Sequence, residues 1–99
     1  MCQDPKTEIL EAIRYFGSRK KIVMVHFRNI RGGMCNFDEV YPDNGDVNMF
    51  EAVKAYKDVG YEYMLCPDHV PQSDVDQGGE KQFSYCLGYI RALLQAANA

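Results

Sequence analysis

The chain has 99 residues, with 11 Lys or Arg against 14 Asp or Glu and a formal charge of −3, so it has room for one core and a second domain is excluded. Its 46% hydrophobic and 25% charged residues are ordinary globular usage, which excludes a disordered chain. The one cationic cluster, Arg19-Lys20-Lys21, is short, and no apolar run approaches the ~20 residues that span a bilayer, so we expect no nucleic acid or membrane partner and a cytoplasmic location.

The first helix and the first strand are predicted from capping residues and periodicity. Asp4-Pro5 reads as a helix start, because Asp can cap free amides and Pro is tolerated in the first turn, and Gly17 ends the helix. Its apolar residues recur at helical spacing: Ile9, Leu10, Ile13 and Phe16. Residues 22–27 are β-branched and apolar on both faces, which is typical of a parallel strand covered on two sides.

A long turn-rich segment separates this strand from the second predicted helix. Gly32-Gly33 breaks the strand pattern, and residues 34–45 predict a loop. Asp46 or Asn48 can cap the next helix, and Glu51 lies where a capping box requires it. The apolar stripe of this helix is predicted to be Met49, Ala52, Val53 and Tyr56, and Gly60 ends the helix.

A second strand and a third helix complete the order. Residues 61–66 form the strand, Pro67 stops it, residues 72–79 are a polar loop, and residues 80–97 are the last helix. The apolar side of that helix is predicted to be Phe83, Leu87, Ile90 and Leu94. The order helix, strand, helix, strand, helix predicts an α/β fold with two parallel strands. Because two parallel strands are too few for a covered sheet, we expect a piece of a larger sheet or barrel, or a sheet completed by association.

Polar side chains collect where the two strands end. Side chains alternate across a strand, so His26 and Arg28 share one face, and Cys66 and Asp68 share one face of the second strand. The carboxyl ends of α/β strands form the active-site face, and neighbouring strands lie ~4.8 Å apart. His26 and Asp68 are therefore candidate ligands of one divalent ion such as Mn²⁺, Fe²⁺ or Zn²⁺. The alternative is that His26 is a hydrogen-bonded structural residue.

Four further side chains are candidates for chemistry. His69 lies just after the second strand and is a candidate general acid or base. The alternative is an exposed loop histidine. Arg28 and Arg31 can bind a carboxylate in bidentate geometry, or can pair with loop carboxylates. Tyr85, on the last predicted helix, is a candidate to contact a substrate through its hydroxyl. The alternative is that its ring only packs against neighbouring side chains.

The four cysteines are spaced too widely for a CxxC site, which favours reduced thiols, although an even count also permits two disulfides. We interpret Cys66 and Cys86 as small buried hydrophobes.

Four segments in order carry a resemblance to a known family. They are Val25-His26-Phe27-Arg28-Asn29, the run from Phe37 to Asp46, Pro67-Asp68-His69-Val70-Pro71, and the pattern Tyr-x-x-Gly-Tyr-x-x-x-Leu-Leu from Tyr85 to Leu94. Together they resemble the mannonate dehydratase family over nearly the whole chain. The resemblance implies a (β/α)₈ TIM barrel of which residues 1–99 match the C-terminal part, with its last two strands and flanking helices.

The resemblance also implies an activity and a site. Members convert D-mannonate to 2-keto-3-deoxy-D-gluconate and water in hexuronate breakdown, and they use a divalent ion, commonly Mn²⁺. By resemblance, His26 and Asp68 match metal ligands, His69 and Tyr85 match the catalytic pair, and Arg28 would lie against the substrate.

One departure leaves three hypotheses open. The family's metal site also takes a Cys and another His from earlier strands, and Cys2 lacks the strand setting of that Cys. The chain is expected to be a C-terminal fragment that is inactive or nearly so alone, an enzyme completed by further copies or by a companion chain that supplies the missing N-terminal barrel portion, or a non-catalytic module that oligomerises through open strand edges.

Overall fold

The chain forms an α/β arrangement of three helices around a short parallel strand pair, described over residues 4–99 in a computed structural model. Its elements are α1 (Pro5–Ser18), β1 (Val25–His26), β2 (Asn29–Gly33), β3 (Asn36–Val40), α2 (Met49–Asp58), β4 (Leu65–Cys66) and α3 (Glu80–Ala97). β1 pairs with β4 in parallel, with His26 opposite Cys66. The predicted order of helices and parallel strands is therefore confirmed, while Cys2 lies outside the described residues.

The helix starts follow the predicted capping chemistry. The Asp4 side chain accepts hydrogen bonds from the Lys6 amide at 3.2 Å and the Thr7 hydroxyl at 2.7 Å. Of the two candidate caps of α2, Asn48 is the cap, since its side chain accepts from the Glu51 amide at 3.1 Å. These polar side chains satisfy amides that the first helical turn leaves without a partner.

The start of α3 uses a cap from further back in the chain. Its N-cap residue, Gly79, has a left-handed backbone (φ 71°) and offers no side chain. Asp76, which is buried, accepts instead from the amides of Lys81 at 2.9 Å and Gln82 at 3.1 Å. The predicted bounds of this helix, residues 80–97, are confirmed.

The predicted loop at residues 34–45 is wrong over its first half, because β2 and β3 form an antiparallel hairpin. Its two-residue turn, Met34-Cys35, places the non-glycine Cys35 in the left-handed region (φ 65°). Gly32 precedes the turn at φ 110°, where a Cβ would lie 2.4 Å from the Asn36 carbonyl oxygen. The turn lacks the Asn-Gly or Asp-Gly dipeptide that marks most short hairpins, so the pattern did not predict it.

The two predicted parallel strands are shorter than expected, and only one face of β1 is covered. Val25 and Phe27 are buried, whereas Met24 and His26 face solvent, so one side of β1 is uncovered among the described residues. The expected cover on the second side stays a prediction. Over residues 4–99, each strand pairs with one other strand, in the two sheets β1-β4 and β2-β3. The parallel sheet is therefore two strands wide in this part of the chain, and its outer edges are open.

The core lies between the helices and the inner face of β1. Its buried apolar residues are Ile13, Val25, Phe27, Val47, Met49, Ala52, Val53, Ala55, Ile90 and Leu93. α2 packs against both α1 and α3. None of the helices over residues 4–99 has the length and hydropathy needed to cross a membrane.

The inward face of α3 is rotated from the predicted one. Gln82, Cys86, Ile90 and Leu93 are its buried residues, whereas Phe83, Leu87 and Leu94 are 39–46% exposed. Of the predicted stripe, only Ile90 lies in the core. This helix is apolar on two sides, and α2 covers one of them. Cys86 is buried as expected, but Cys66 is only partly buried.

Candidate functional site

The parallel pairing of β1 and β4 brings His26 and Asp68 together. His26 ends β1, and Asp68 follows β4 by two residues. The Nδ1 atom of His26 lies 3.2 Å from Oδ2 of Asp68. The structure therefore places the imidazole and the carboxylate at the same edge of the strand pair, as the alternation of side chains predicted.

His69 joins this pair from the other side of the carboxylate. Its Nε2 atom lies 3.0 Å from the same Oδ2 atom of Asp68. The side chains of His26, Asp68 and His69 are 49%, 28% and 56% exposed, so all three reach solvent. One carboxylate oxygen thus contacts two imidazoles, and the three side chains are exposed enough for a ligand to reach them.

The donor set fits part of a metal site. Imidazole nitrogen and carboxylate oxygen suit Mn²⁺, Fe²⁺ or Zn²⁺, and the two atoms of the His26–Asp68 pair are as close as neighbouring ligands of one ion must be. Over residues 4–99, no group of three or more His, Cys, Asp or Glu side chains is arranged to hold a metal ion. Two ligands do not form a tight site, so further ligands would have to come from outside these residues.

Arg28 lies near the cluster but is occupied by a carboxylate of its own chain. Its Nη1 atom pairs with Oε1 of Glu39 on β3, and its guanidinium lies 5.8 Å from the centre of the Phe37 ring. Both side chains of the ion pair are about three-quarters buried. The structure therefore shows the alternative that the sequence left open for Arg28, a pair with a nearby carboxylate.

Arg31 also has a hydrogen-bond partner within the chain. It lies on β2, and its Nη2 atom donates to the Asn44 carbonyl oxygen at 3.1 Å. This contact connects the hairpin to the loop that follows β3. The site role expected of Arg31 stays a prediction.

Tyr85 lies on α3, and its aromatic neighbours are Tyr89 of the same helix and Tyr41 of the loop after β3. Its ring contacts that of Tyr41 edge-on at 5.1 Å and stacks on that of Tyr89 at 6.4 Å. A hydrogen bond with the Asp43 carboxylate, followed by burial, raises the pKa of the Tyr85 phenol above its ordinary value. The contacts of the described residues do not join Tyr85 to His26, Asp68 or His69.

Tyr85 is one of the residues that line a groove. It encloses about 660 Å³ between the loop after β3, the loop after β4 and the start of α3. Its lining residues are Tyr41, Asp43, Asn44, Ser73, Val75, Asp76, Lys81, Gln82 and Tyr85. One of these loops follows β4 of the parallel pair, and the other follows β3 of the hairpin.

Asn29, which was not among the predicted site residues, holds the loop after β3 in place through hydrogen bonds. It is 1% exposed, and its amide donates to the carbonyl oxygens of Pro42 and Val47, each at 2.8 Å. Its Oδ1 atom accepts from the amides of Ile30 at 3.0 Å and Val47 at 3.1 Å. Every hydrogen-bonding atom of the side chain is thus used to fasten the loop after β3.

Gly45 allows the loop after β3 to lie close to the Asn29 side chain. A Cβ atom there would lie 2.3 Å from the Asn29 side chain, so only glycine allows the close approach. The turn formers from Tyr41 to Asp46 signalled a loop, but no local pattern paired Gly45 with an asparagine that precedes it by sixteen positions.

The comparisons with known proteins agree with the earlier resemblance. The family described as D-mannonate dehydratase (UxuA) matches residues 1–98. The chain belongs to the D-mannonate dehydratase family.

Individual members of the D-mannonate dehydratase family show the extent of the likeness. Mannonate dehydratase of Thermotoga maritima is 38% identical over 69 residues, which cover 67% of this chain and 19% of the relative. Mannonate dehydratase 2 of Halalkalibacterium halodurans is 42% identical over 65 residues, covering 63% of this chain and 19% of the relative. The mannonate dehydratase of Streptococcus pneumoniae is 34% identical over 68 residues, with coverage of 67% and 19%. The chain therefore spans about a fifth of the length of these relatives, and no solved structure matches it.

Proposed function

We propose that this chain forms part of the active site of a metal-dependent hydro-lyase that converts D-mannonate to 2-keto-3-deoxy-D-gluconate and water. The observation that carries the proposal is the His26–Asp68 pair, with 3.2 Å between Nδ1 and Oδ2, at the carboxyl ends of two parallel strands in a D-mannonate dehydratase family member. Carboxyl ends of such strands are where α/β enzymes place their chemistry.

The parallel strand pair belongs, in this proposal, to the C-terminal part of a (β/α)₈ barrel. Two exposed apolar pairs directly precede β1 and β4: Val23 (67% exposed) with Met24 (64%), and Tyr63 (63%) with Met64 (76%). Exposed apolar patches of this kind mark surfaces that another element covers. The open strand edges and the uncovered side of α3 support the same interpretation.

The metal ion, for which Mn²⁺ is the first choice, would be held by His26 and Asp68 together with ligands from outside this chain's described residues. When bound, such an ion stabilises the negative charge that develops at the carboxylate end of the substrate. His69 lies beside Asp68 at 3.0 Å, so it would face the same region of the substrate.

Dehydration of a sugar acid needs two proton transfers. The proton next to the substrate carboxylate must be removed, and the hydroxyl of the following carbon must receive a proton as it departs. His69 and Tyr85 are the candidates for these two roles. A tyrosine phenol is protonated at neutral pH, and the Asp43 carboxylate raises the pKa of Tyr85 further above its ordinary value.

The arginines would stabilise the negative charge of the substrate. An arginine guanidinium such as that of Arg28 can pair with a carboxylate in bidentate geometry. In the structure its partner is Glu39, so a substrate carboxylate would have to share or displace this contact. Arg31 has an exposed contact with a backbone carbonyl, which costs little to exchange.

The second candidate function is a non-catalytic module that oligomerises through its strand edges. The open outer edges of β1 and β4 favour it. Alone, the chain offers two adjacent ligands, so in either case we expect little or no turnover of D-mannonate by the isolated chain.

A chimera tests the proposed function. Residues 1–98 would replace the matching segment of the Thermotoga maritima mannonate dehydratase, and turnover of D-mannonate and bound metal would be measured. We expect an active chimera that retains its ion, with metal content and turnover lost in His26→Ala and Asp68→Asn and kept in the exposed control Asp74→Asn. A folded chimera whose two ligand variants keep both the ion and the rate would overturn the proposal.

A further inference from the structure

We propose that Glu39 is the positioning residue of Arg28: it holds one nitrogen of the guanidinium, and the carboxylate of a sugar-acid substrate binds to the donors that remain. The two carboxylates then share Arg28, and the substrate does not displace Glu39. The inference rests on the proposed function in one respect, since it assumes that Arg28 binds the substrate. It goes further by giving a role to Glu39, which lies outside the set of site residues expected from the sequence.

Arg28 lies on the same side of its segment as His26. Burial alternates here: Val25 and Phe27 are buried, His26 is exposed and Arg28 is half-buried. The Phe27 amide donates to the Cys66 carbonyl at 2.7 Å, so the chain stays paired with the second strand beyond the end of β1. Alternate residues of an extended chain share one side, which places the backbone of Arg28 roughly 7 Å beyond that of His26.

The hairpin brings β3 back to Arg28. β3 pairs antiparallel with β2, and the register sets Glu39 opposite Ile30 and Phe37 opposite Gly32. Glu39 and Phe37 are two residues apart in β3, so they share one face of the strand. The Nη1 atom of Arg28 pairs with Oε1 of Glu39, and the guanidinium lies 5.8 Å from the centre of the Phe37 ring. One face of β3 therefore holds the cation with a carboxylate and an aromatic ring.

The ion pair engages only part of each group. The hydrogen bond joins one guanidinium nitrogen of Arg28 to one carboxylate oxygen of Glu39. The other oxygen, Oε2, is buried and has no hydrogen-bond partner within residues 4–99. A guanidinium carries five N–H donors in a planar fork, so such a contact holds the group and leaves donors for a second carboxylate. The side chains of Arg28 and Glu39 are 26% and 28% exposed, so a ligand can still reach the pair.

Asp38 provides a matched control for Glu39. It is the preceding residue of β3, so its side chain lies on the opposite face of the strand, and it is exposed. Its partner in the register is Arg31, whose guanidinium donates to the Asn44 carbonyl. Asp38→Asn therefore removes one carboxylate charge from the same strand without removing the partner of Arg28.

Arginine NMR tests in the chain itself whether Glu39 holds Arg28. A carboxylate bound to one nitrogen slows rotation of the guanidinium, so the two Nη atoms give separate ¹⁵N signals, which Arg28→Lys would assign. We expect the Arg28 signals to merge in Glu39→Gln and to stay separate in Asp38→Asn. Arg28 signals that stay separate in Glu39→Gln would overturn the proposal.

Substrate binding in the chimera tests whether this contact serves the site. We expect Glu39→Gln to raise KM for D-mannonate roughly tenfold with a smaller change in kcat, because Arg28 acts on binding rather than on the proton transfers. Glu39→Asp should restore part of this loss, and Asp38→Asn should match the wild type. A KM at or below the wild-type value in Glu39→Gln would overturn the proposal, since Glu39 would then be without effect or would compete with the substrate.

Arg28→Lys in the same chimera separates this inference from the proposed function. If Arg28→Lys keeps the wild-type KM, Arg28 does not bind the substrate, so that part of the proposed function fails and the inference fails with it. If Arg28→Lys raises KM but Glu39→Gln does not, the positioning role of Glu39 fails alone.

Discussion

Among single residues, two buried polar side chains, Asn29 and Asp76, each bind several backbone groups of neighbouring segments. Asn29 uses its whole amide to join β2 to the loop after β3. Asp76 does the same for the start of α3. A buried polar group contributes little net free energy when paired but is costly when its partners are left alone, so each of these positions is sensitive to substitution.

Asn29→Ala is predicted to destabilise the chain by roughly 3 kcal/mol, because four backbone groups lose a hydrogen bond to Asn29 and three of these bonds are buried. The free energy of unfolding in urea measures this. The control is Asn44→Ala, an exposed residue of the same loop, which should change stability by less than ~0.5 kcal/mol. Equal effects of the two substitutions would contradict the anchoring role.

Tyr56 gives the chain a pH-dependent stability at alkaline pH. Burial, with Tyr61 as the second cause, raises the pKa of Tyr56 from 10.0 to about 12 in the folded chain. Between these values the unfolded chain loses a proton that the folded chain keeps, so stability is complete below pH 10 and falls as the pH rises towards 12.

Tyr56→Phe should therefore flatten the loss of unfolding free energy between pH 10 and pH 12. Chemical denaturation at several alkaline pH values measures the slope. Tyr15→Phe, at a tyrosine that is 55% exposed, should keep the wild-type slope. A Tyr56→Phe slope as steep as the wild-type one would show that another group causes the loss.

At the scale of elements, helices were more predictable than strands. Local sequence predicted the caps Asp4 and Asn48 and the full extent of α3. The reason is that the backbone hydrogen bonds of a helix join residues close to one another in sequence. A strand depends on a distant partner. The hairpin of β2 and β3 escaped prediction because its turn places Cys35 in the left-handed region, where sequence patterns look for Gly or Asn.

The cap of α3 provides a prediction at this scale. Asp76→Ala removes the acceptor of the Lys81 and Gln82 amides and should cost about 1 kcal/mol of stability. Hydrogen exchange of the first-turn amides should speed up with it, whereas the exposed control Asp74→Ala should leave exchange unchanged. Protection that survives Asp76→Ala would mean that the buried carboxylate does not cap the helix.

In the molecule as a whole, the proximity of His26 and Asp68 could be predicted from the sequence. The residues that surround this pair could not. Strand alternation and parallel neighbours sufficed to bring these two together. The partner of Arg28 is Glu39, which lies on a strand absent from the predicted order. The inward face of α3 also escaped prediction, because periodicity cannot tell which of two apolar sides meets α2.

The exposed apolar pairs before β1 and β4 predict association of the isolated chain. Light scattering over a dilution series should show a mass that rises with concentration. Met24→Lys combined with Met64→Lys should reduce this association, whereas Val75→Lys, at a residue 83% exposed in another loop, should not. A wild-type mass that stays monomeric at all concentrations would argue against the open sheet as an association surface.

The central claim is that His26 and Asp68 face one shared cation. The most direct measurement is Mn²⁺ titration of the isotope-labelled chain, with paramagnetic broadening of its NMR signals as the readout. We expect the signals of His26 and Asp68 to broaden first, together with those of His69, and this selective broadening to disappear in His26→Gln. Broadening that begins at other acidic residues while the His26 and Asp68 signals stay sharp would contradict it.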